Sequence, residues 1–159
     1  MNKAALAVLV LIPLFTLGTA DAAKGAAGAT MAKAKKDNVV WPADAIKWEP
    51  GPVPGTQVAK LWGDWQKSGP YGVLIKFDAG VMHALHHHTQ TLKTVILSGT
   101  FVFTPEGGTE TKLGPGSYLV QAGGKNHISG CTKDAPCEFF MTSSDKFDMT
   151  NVGDAADKK

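Results

Sequence analysis

The sequence predicts an all-β fold, a sandwich or barrel around one core, and three observations carry that prediction. Short runs rich in β-branched and aromatic residues recur along the chain. Clusters of glycine, proline and aspartate separate them at short intervals. No segment of helical hydrophobic period follows the N-terminal apolar stretch. At 159 residues there is room for one domain with a real core and little beyond it.

The first expected element is a leader. Met1-Asn2-Lys3 gives a positive start, Ala4 to Leu17 is an uncharged apolar run, and Ala20-Asp21-Ala22 offers a small-x-small cleavage site. This reads as a secretory signal peptide over residues 1–22, cleaved after Ala22. The run falls short of the ~18–20 apolar residues that span a bilayer, so no stable membrane insertion is expected after its removal. No Cys precedes Cys131 and the chain contains no Arg, which leaves neither a lipid-attachment cysteine nor a twin-arginine signal. A periplasmic or secreted location follows. Residues 23–37 are Ala, Gly and Lys with almost no large apolar side chain and read as a flexible arm. Residues 151–159 read as a disordered tail.

Between these ends, over residues 38–150, strands are expected at Val39–Trp41, Gln57–Trp62, Tyr71–Phe77, Lys93–Leu97, Thr100–Phe103, Ser117–Gln121 and Glu138–Thr142. Alternation is clearest in the third, where Tyr71, Val73, Ile75 and Phe77 share a face. Glu49-Pro50-Gly51-Pro52, Pro105-Glu106-Gly107-Gly108 and Gly114-Pro115-Gly116 supply the turns. The formal net charge is +2 and every cation is Lys. Without Arg forks or a basic stripe, nucleic acid is not an expected partner.

Four of the five histidines fall in Met82-His83-Ala84-Leu85-His86-His87-His88. On a strand, residues two apart point the same way and stand about 6.6 Å apart. His86 and His88 can therefore converge on one metal ion, with His87 on the opposite face. A third ligand must come from elsewhere, and His127 is the one histidine left. His83 and His87 are expected to face solvent or to stand behind the ligands.

These residues resemble the two motifs of the cupin superfamily. Gly80, His86-His87-His88 and Gly99 match the first, with Leu92 where that motif has Glu; Gly116, Gly124 and His127 match the second, with Ala122 and Cys131 in place of its Pro and Asn. KLWGD, GSYLVQAGGKNH and DKFDM are also similar to a family of secreted single-domain cupins of unassigned function, akin to the cupin-like domain of zinc-binding anti-sigma factors. The resemblance covers roughly residues 39–149. It implies a double-stranded β-helix, or jelly-roll barrel, with a divalent metal on His86, His88 and His127 and a homodimer as the common assembly.

With Leu92 in the carboxylate position the site has three neutral imidazoles and no protein anion. A divalent ion there keeps its full charge, leaves open positions and favours an anionic ligand or hydroxide. Gln90 shares the parity of His86 and His88 and is a candidate fourth ligand; the competing reading puts it past the strand end, bonding backbone. Zn²⁺ is the first choice of metal and Fe²⁺ the runner-up, since iron opens oxygen chemistry. Tyr71, Tyr118 and Glu138 are candidate bases that the sequence does not place.

Cys131 and Cys137 flank a short loop after the His127 strand and, in an oxidising compartment, are expected to form a disulfide. A redox or metal thiol at Cys131 is the competing reading. Three functions stay open: an enzyme acting on a small molecule, an oxygenase among them; a non-catalytic module that binds or senses a metal or small ligand; and a metal-free barrel used for packing.

Overall fold

The structure, a computed structural model, describes residues 38–153. The expected signal peptide, the arm and residues 154–159 lie outside them. Every element below lies after Val39, in the unit that begins at Val40.

Eleven strands form two antiparallel sheets among the described residues. They are β1 (Glu49–Pro50), β2 (Thr56–Trp62), β3 (Tyr71–Phe77), β4 (Met82–His87), β5 (Leu92–Ser98), β6 (Phe101–Pro105), β7 (Thr111–Leu113), β8 (Tyr118–Gln121), β9 (His127–Cys131), β10 (Cys137–Ser143) and β11 (Thr150–Asn151). One sheet runs β1-β2-β3-β10-β5-β8 and the other β11-β4-β9-β6-β7. This is the jelly roll that the resemblance implies. No helix among the described residues is long and apolar enough to cross a membrane.

The core lies between the sheets. Tyr71, Val73, Ile75 and Phe77 of β3 all enter it, joined by Phe139 and Met141 of β10, Ile96 of β5 and Phe101 of β6. Alternation on β3 thus selects the buried face, as period-two patterning requires. The opposite face of β3 carries Gly72, Leu74 and Lys76, and the Lys76 ammonium lies 3.9 Å from the centre of the Trp48 ring. Four motif glycines, Gly80, Gly99, Gly116 and Gly124, have φ of 78°, 69°, 85° and 70°. They occupy the left-handed region that turns between strands demand.

Val39–Trp41 is not a strand. These three residues are exposed and unpaired by any ladder, and a 3₁₀ turn, Ala43–Ala45, follows them. Their β-propensity has no neighbouring strand to act on. Asn151, read as the start of the tail, instead belongs to β11, which pairs with His86 and His87 of β4.

Cys131 and Cys137 form a disulfide that joins the end of β9 to the start of β10. Both are 1% exposed, so the bond ties the two sheets together from inside the core. Closing so short a loop removes limited chain entropy. Replacing both cysteines with alanine is expected to lower unfolding free energy by about 2 kcal/mol. Urea denaturation of the pair variant against the parent, under oxidising conditions, measures it; equal midpoints would show that the bond constrains nothing.

Candidate metal centre

Three buried imidazoles meet inside the barrel. His86 is 1% exposed, His88 5% and His127 2%. One ring nitrogen from each lies within 4.8 Å of the others. His86 and His127 are direct cross-strand partners on β4 and β9, which sets their ring centres 4.3 Å apart. His88, one residue beyond β4, lies 4.9 Å from His86 and 5.3 Å from His127 by ring centres.

Each of these rings is held by its Nδ1. His86 Nδ1 donates to the Ala84 carbonyl at 2.7 Å, His88 Nδ1 to the Asp148 carbonyl at 2.6 Å and His127 Nδ1 to the Lys125 carbonyl at 3.0 Å. A carbonyl only accepts, so the proton sits on Nδ1 and the Nε2 lone pair is left to face the centre. His86 Nε2 and His127 Nε2 are buried with no hydrogen-bond partner. Orphaned acceptors in a dry interior are costly. A divalent ion bound by all three would satisfy them, and backbone support of this kind is how metal-binding imidazoles are oriented. The residues present fit such an ion.

Burial keeps the rings neutral. Desolvation pushes His86 down from 6.5 to about 4, against the hydrogen bond from its Nδ1 to Ala84. It pushes His88 down to about 4 as well, and lowers His127 and His83. The unfolded chain takes up protons near pH 6.5, whereas folded His86 and His88 resist them until about pH 4. Between those values the unfolded state binds more protons, so the stability of the metal-free protein should fall as pH drops through this window. Thermal melts from pH 7.5 to 4.5 in the presence of a chelator test it; a flat midpoint would exclude buried neutral histidines.

His86 and His88 open onto a largely apolar cavity whose empty volume, open mouth included, is about 560 Å³. Its wall holds Leu92, Phe77, Phe101, Phe139, Trp65 and Phe147 together with His83, His86 and His88. Leu92 is 1% exposed, so the residue standing where the cupin motif has Glu does face the site. No Asp or Glu lines the cavity.

β4 stops at His87, so Gln90, the candidate fourth ligand, lies in the connection to β5 and does not line the cavity. The candidate bases fare no better. Tyr71 is fully buried in the core, Tyr118 is 59% exposed, and Glu138 pairs with Lys76 at 3.5 Å. Cys131 is in the disulfide and is no free thiol.

Two contributors escape a reading by parity. His83 is an odd number of residues from His86, which would put them on opposite faces. A register shift between them opposes two residues of β4, Ala84 and Leu85, to the single Ile128 of β9, and His83 joins the cavity wall. Asp148, sixty residues from His88, supplies the carbonyl that orients it and accepts the Thr89 N–H on Oδ1 at 2.8 Å. Its only sequence signal was its place in the DKFDM stretch.

The model of the family described as Domain of unknown function (DUF4437) matches residues 19–150. No curated protein matches the chain. Among solved structures it is similar to the polyketide cyclase RemF from Streptomyces resistomycificus, at 18% identity over 73% of this chain and 86% of that one, with a TM-score of 0.62. It is also similar to a sugar phosphate isomerase of the cupin superfamily from Silicibacter pomeroyi (19%, 72% and 82%, TM-score 0.58). An RmlC-like cupin from Shewanella frigidimarina gives 18%, 68% and 91%, with a TM-score of 0.55. At these identities the likeness shows the fold, and the fold is that of a cupin.

Proposed function

We propose that this chain, which belongs to the DUF4437 family and has the cupin fold, is an exported cupin that binds one divalent metal on His86, His88 and His127 and acts on a small molecule there. The observation that carries the reading is the trio of buried rings, each fixed through Nδ1, with two Nε2 atoms left unpaired. Zinc is the expected metal, because imidazole donors favour it over iron on affinity. The bound ion would supply Lewis acidity with coordination positions open to a ligand. The chain's own residues hold the rings neutral, keep water scarce around them and leave the ion's charge to be balanced from outside. Export is supported by the Cys131–Cys137 disulfide, which persists in oxidising compartments, and by the leader read in residues 1–22.

A second reading is favoured by the cavity wall. It offers no carboxylate and neither of the tyrosines, so proton transfer has no agent there beyond the histidines. On that reading the chain is a periplasmic binding or sensing module for a metal or small ligand. Iron in place of zinc would instead favour an oxygenase.

The test is the metal content of protein recovered from its native compartment. One zinc per chain is expected. Stoichiometric iron would move the proposal to oxygen chemistry, and absence of any stoichiometric metal would overturn it. With zinc present, turnover of small-molecule panels separates enzyme from binding module.

A further inference from the structure

Building on that metal reading, we infer that the cavity takes a small planar aromatic monoanion, with its charge toward the three-histidine centre and His83 hydrogen-bonding its oxygen.

Charge comes first. Three neutral imidazoles leave the charge of a divalent ion unbalanced, and no acidic side chain lines the cavity. Asp148, whose carboxylate acts electrostatically on His88, does not line the cavity; it spends Oδ1 on the Thr89 N–H and turns its carbonyl to the ring. A buried uncompensated charge is expensive. The ligand has to bring the anion.

Shape comes second. Phe147 lies 5.1 Å from the His88 ring and meets Trp65 edge to face at 5.8 Å, while Phe77 and Phe139 meet at 5.2 Å. These four rings line the same cavity as His86 and His88. Aromatic walls beside a polar end suit a flat apolar body that stacks or packs edge-on.

The third observation is His83. The β4 bulge brings it into the cavity wall, its ring 4.8 Å from Phe77 and 5.6 Å from His86. Its Nε2 is buried with no hydrogen-bond partner, and it is not one of the three converging ligands. A histidine serving only as packing would ordinarily have both nitrogens satisfied. With its proton on Nε2 the ring donates to a ligand oxygen. It is a ligand-binding residue, not a metal ligand.

The full chain loaded with Co²⁺, whose visible absorption reports its coordination, is titrated with benzoate, acetate and benzylamine. Benzoate should change the spectrum and bind at least about tenfold more tightly than acetate, because its ring buries more apolar surface. Benzylamine should not bind. His83→Phe should weaken benzoate about tenfold at unchanged Co²⁺ content, and His83→Gln, which keeps a donor, should stay within about threefold of the parent. Acetate binding as tightly as benzoate, or benzoate indifferent to His83→Phe, overturns this inference alone. A chain that takes up no Co²⁺ overturns the metal reading and this inference together. The acetate–benzoate contrast is read on the unmodified protein and decides whether or not a variant folds.

Discussion

Replacing His127 with alanine is expected to lower Zn²⁺ affinity by at least about a hundredfold, beyond the 10–100-fold typical of losing a supporting residue around a metal. His127 opens β9 and faces His86 across the ladder, with Phe103 5.1 Å away on its other side. Removing its ring leaves two imidazoles, and His86 and His88 alone are a weak pair. The substitution also empties buried volume next to Phe103, at a cost of roughly 2–4 kcal/mol to the metal-free fold. Far-ultraviolet circular dichroism should still show the barrel. Competition against a chromophoric chelator gives the affinity. Zinc should raise the melting midpoint of the parent, since it binds the folded state alone, and should leave that of the variant nearly unchanged. Parent-like affinity in the variant would mean that His127 is a core histidine and that the three rings converge for packing alone.

That variant probes the part of the site most legible in the sequence. Parity pairs His86 with His88, because side chains two apart on extended chain share a face, and His88 keeps that face although β4 ends one residue before it. The long run of β3 was legible for the same reason: seven residues, Tyr71–Phe77, give alternation room to show. The strands that escaped, β1, β7 and β11, have two or three residues, too few for any period. Their existence depends on a neighbour offering backbone partners, which is a property of the folded chain. Val39–Trp41 fails in the opposite sense, with strand-like residues and no neighbour to pair with. His83 and Gln90 mark the limit of parity inside the site. A bulge between His83 and His86 moves one residue to the face that alternation denies it, and β4 ends at His87, before Gln90, so alternation no longer assigns Gln90 a face. Both are decided by where hydrogen bonds to β9 stop or slip, and no local pattern reports that. The aromatic wall had no sequence signature either, since Trp65, Phe77, Phe139 and Phe147 come from separate elements that only the jelly roll brings together.

Leu92→Glu places a carboxylate where the cavity lacks one, and its effect should reverse sign with metal. Leu92 opens β5 opposite Gln121, is 1% exposed and shares the cavity wall with His86 and His88. In metal-free protein at neutral pH the new group must either ionise in apolar surroundings or hold a proton at a raised pKa. Either course, added to the lost leucine packing, should cost roughly 2–4 kcal/mol. A carboxyl whose folded pKa is raised contributes its penalty above the unfolded value near 4.3, so the deficit should shrink as pH falls towards 5. With Zn²⁺ bound, the same charge compensates the ion and should raise affinity by about tenfold or more. Melting midpoints with zinc and with chelator, at pH 7.5 and pH 5, measure both halves. Zinc should then lift the variant by more degrees than it lifts the parent. An equal lift in both would place residue 92 out of reach of the ion and remove the reason for expecting an anion to come from outside. If the lift is larger, the new carboxylate occupies the electrostatic position that an external anion fills in the natural protein. Benzoate should then bind the zinc-loaded variant more weakly than the parent, because one negative charge already neutralises what the ligand would otherwise be recruited to neutralise.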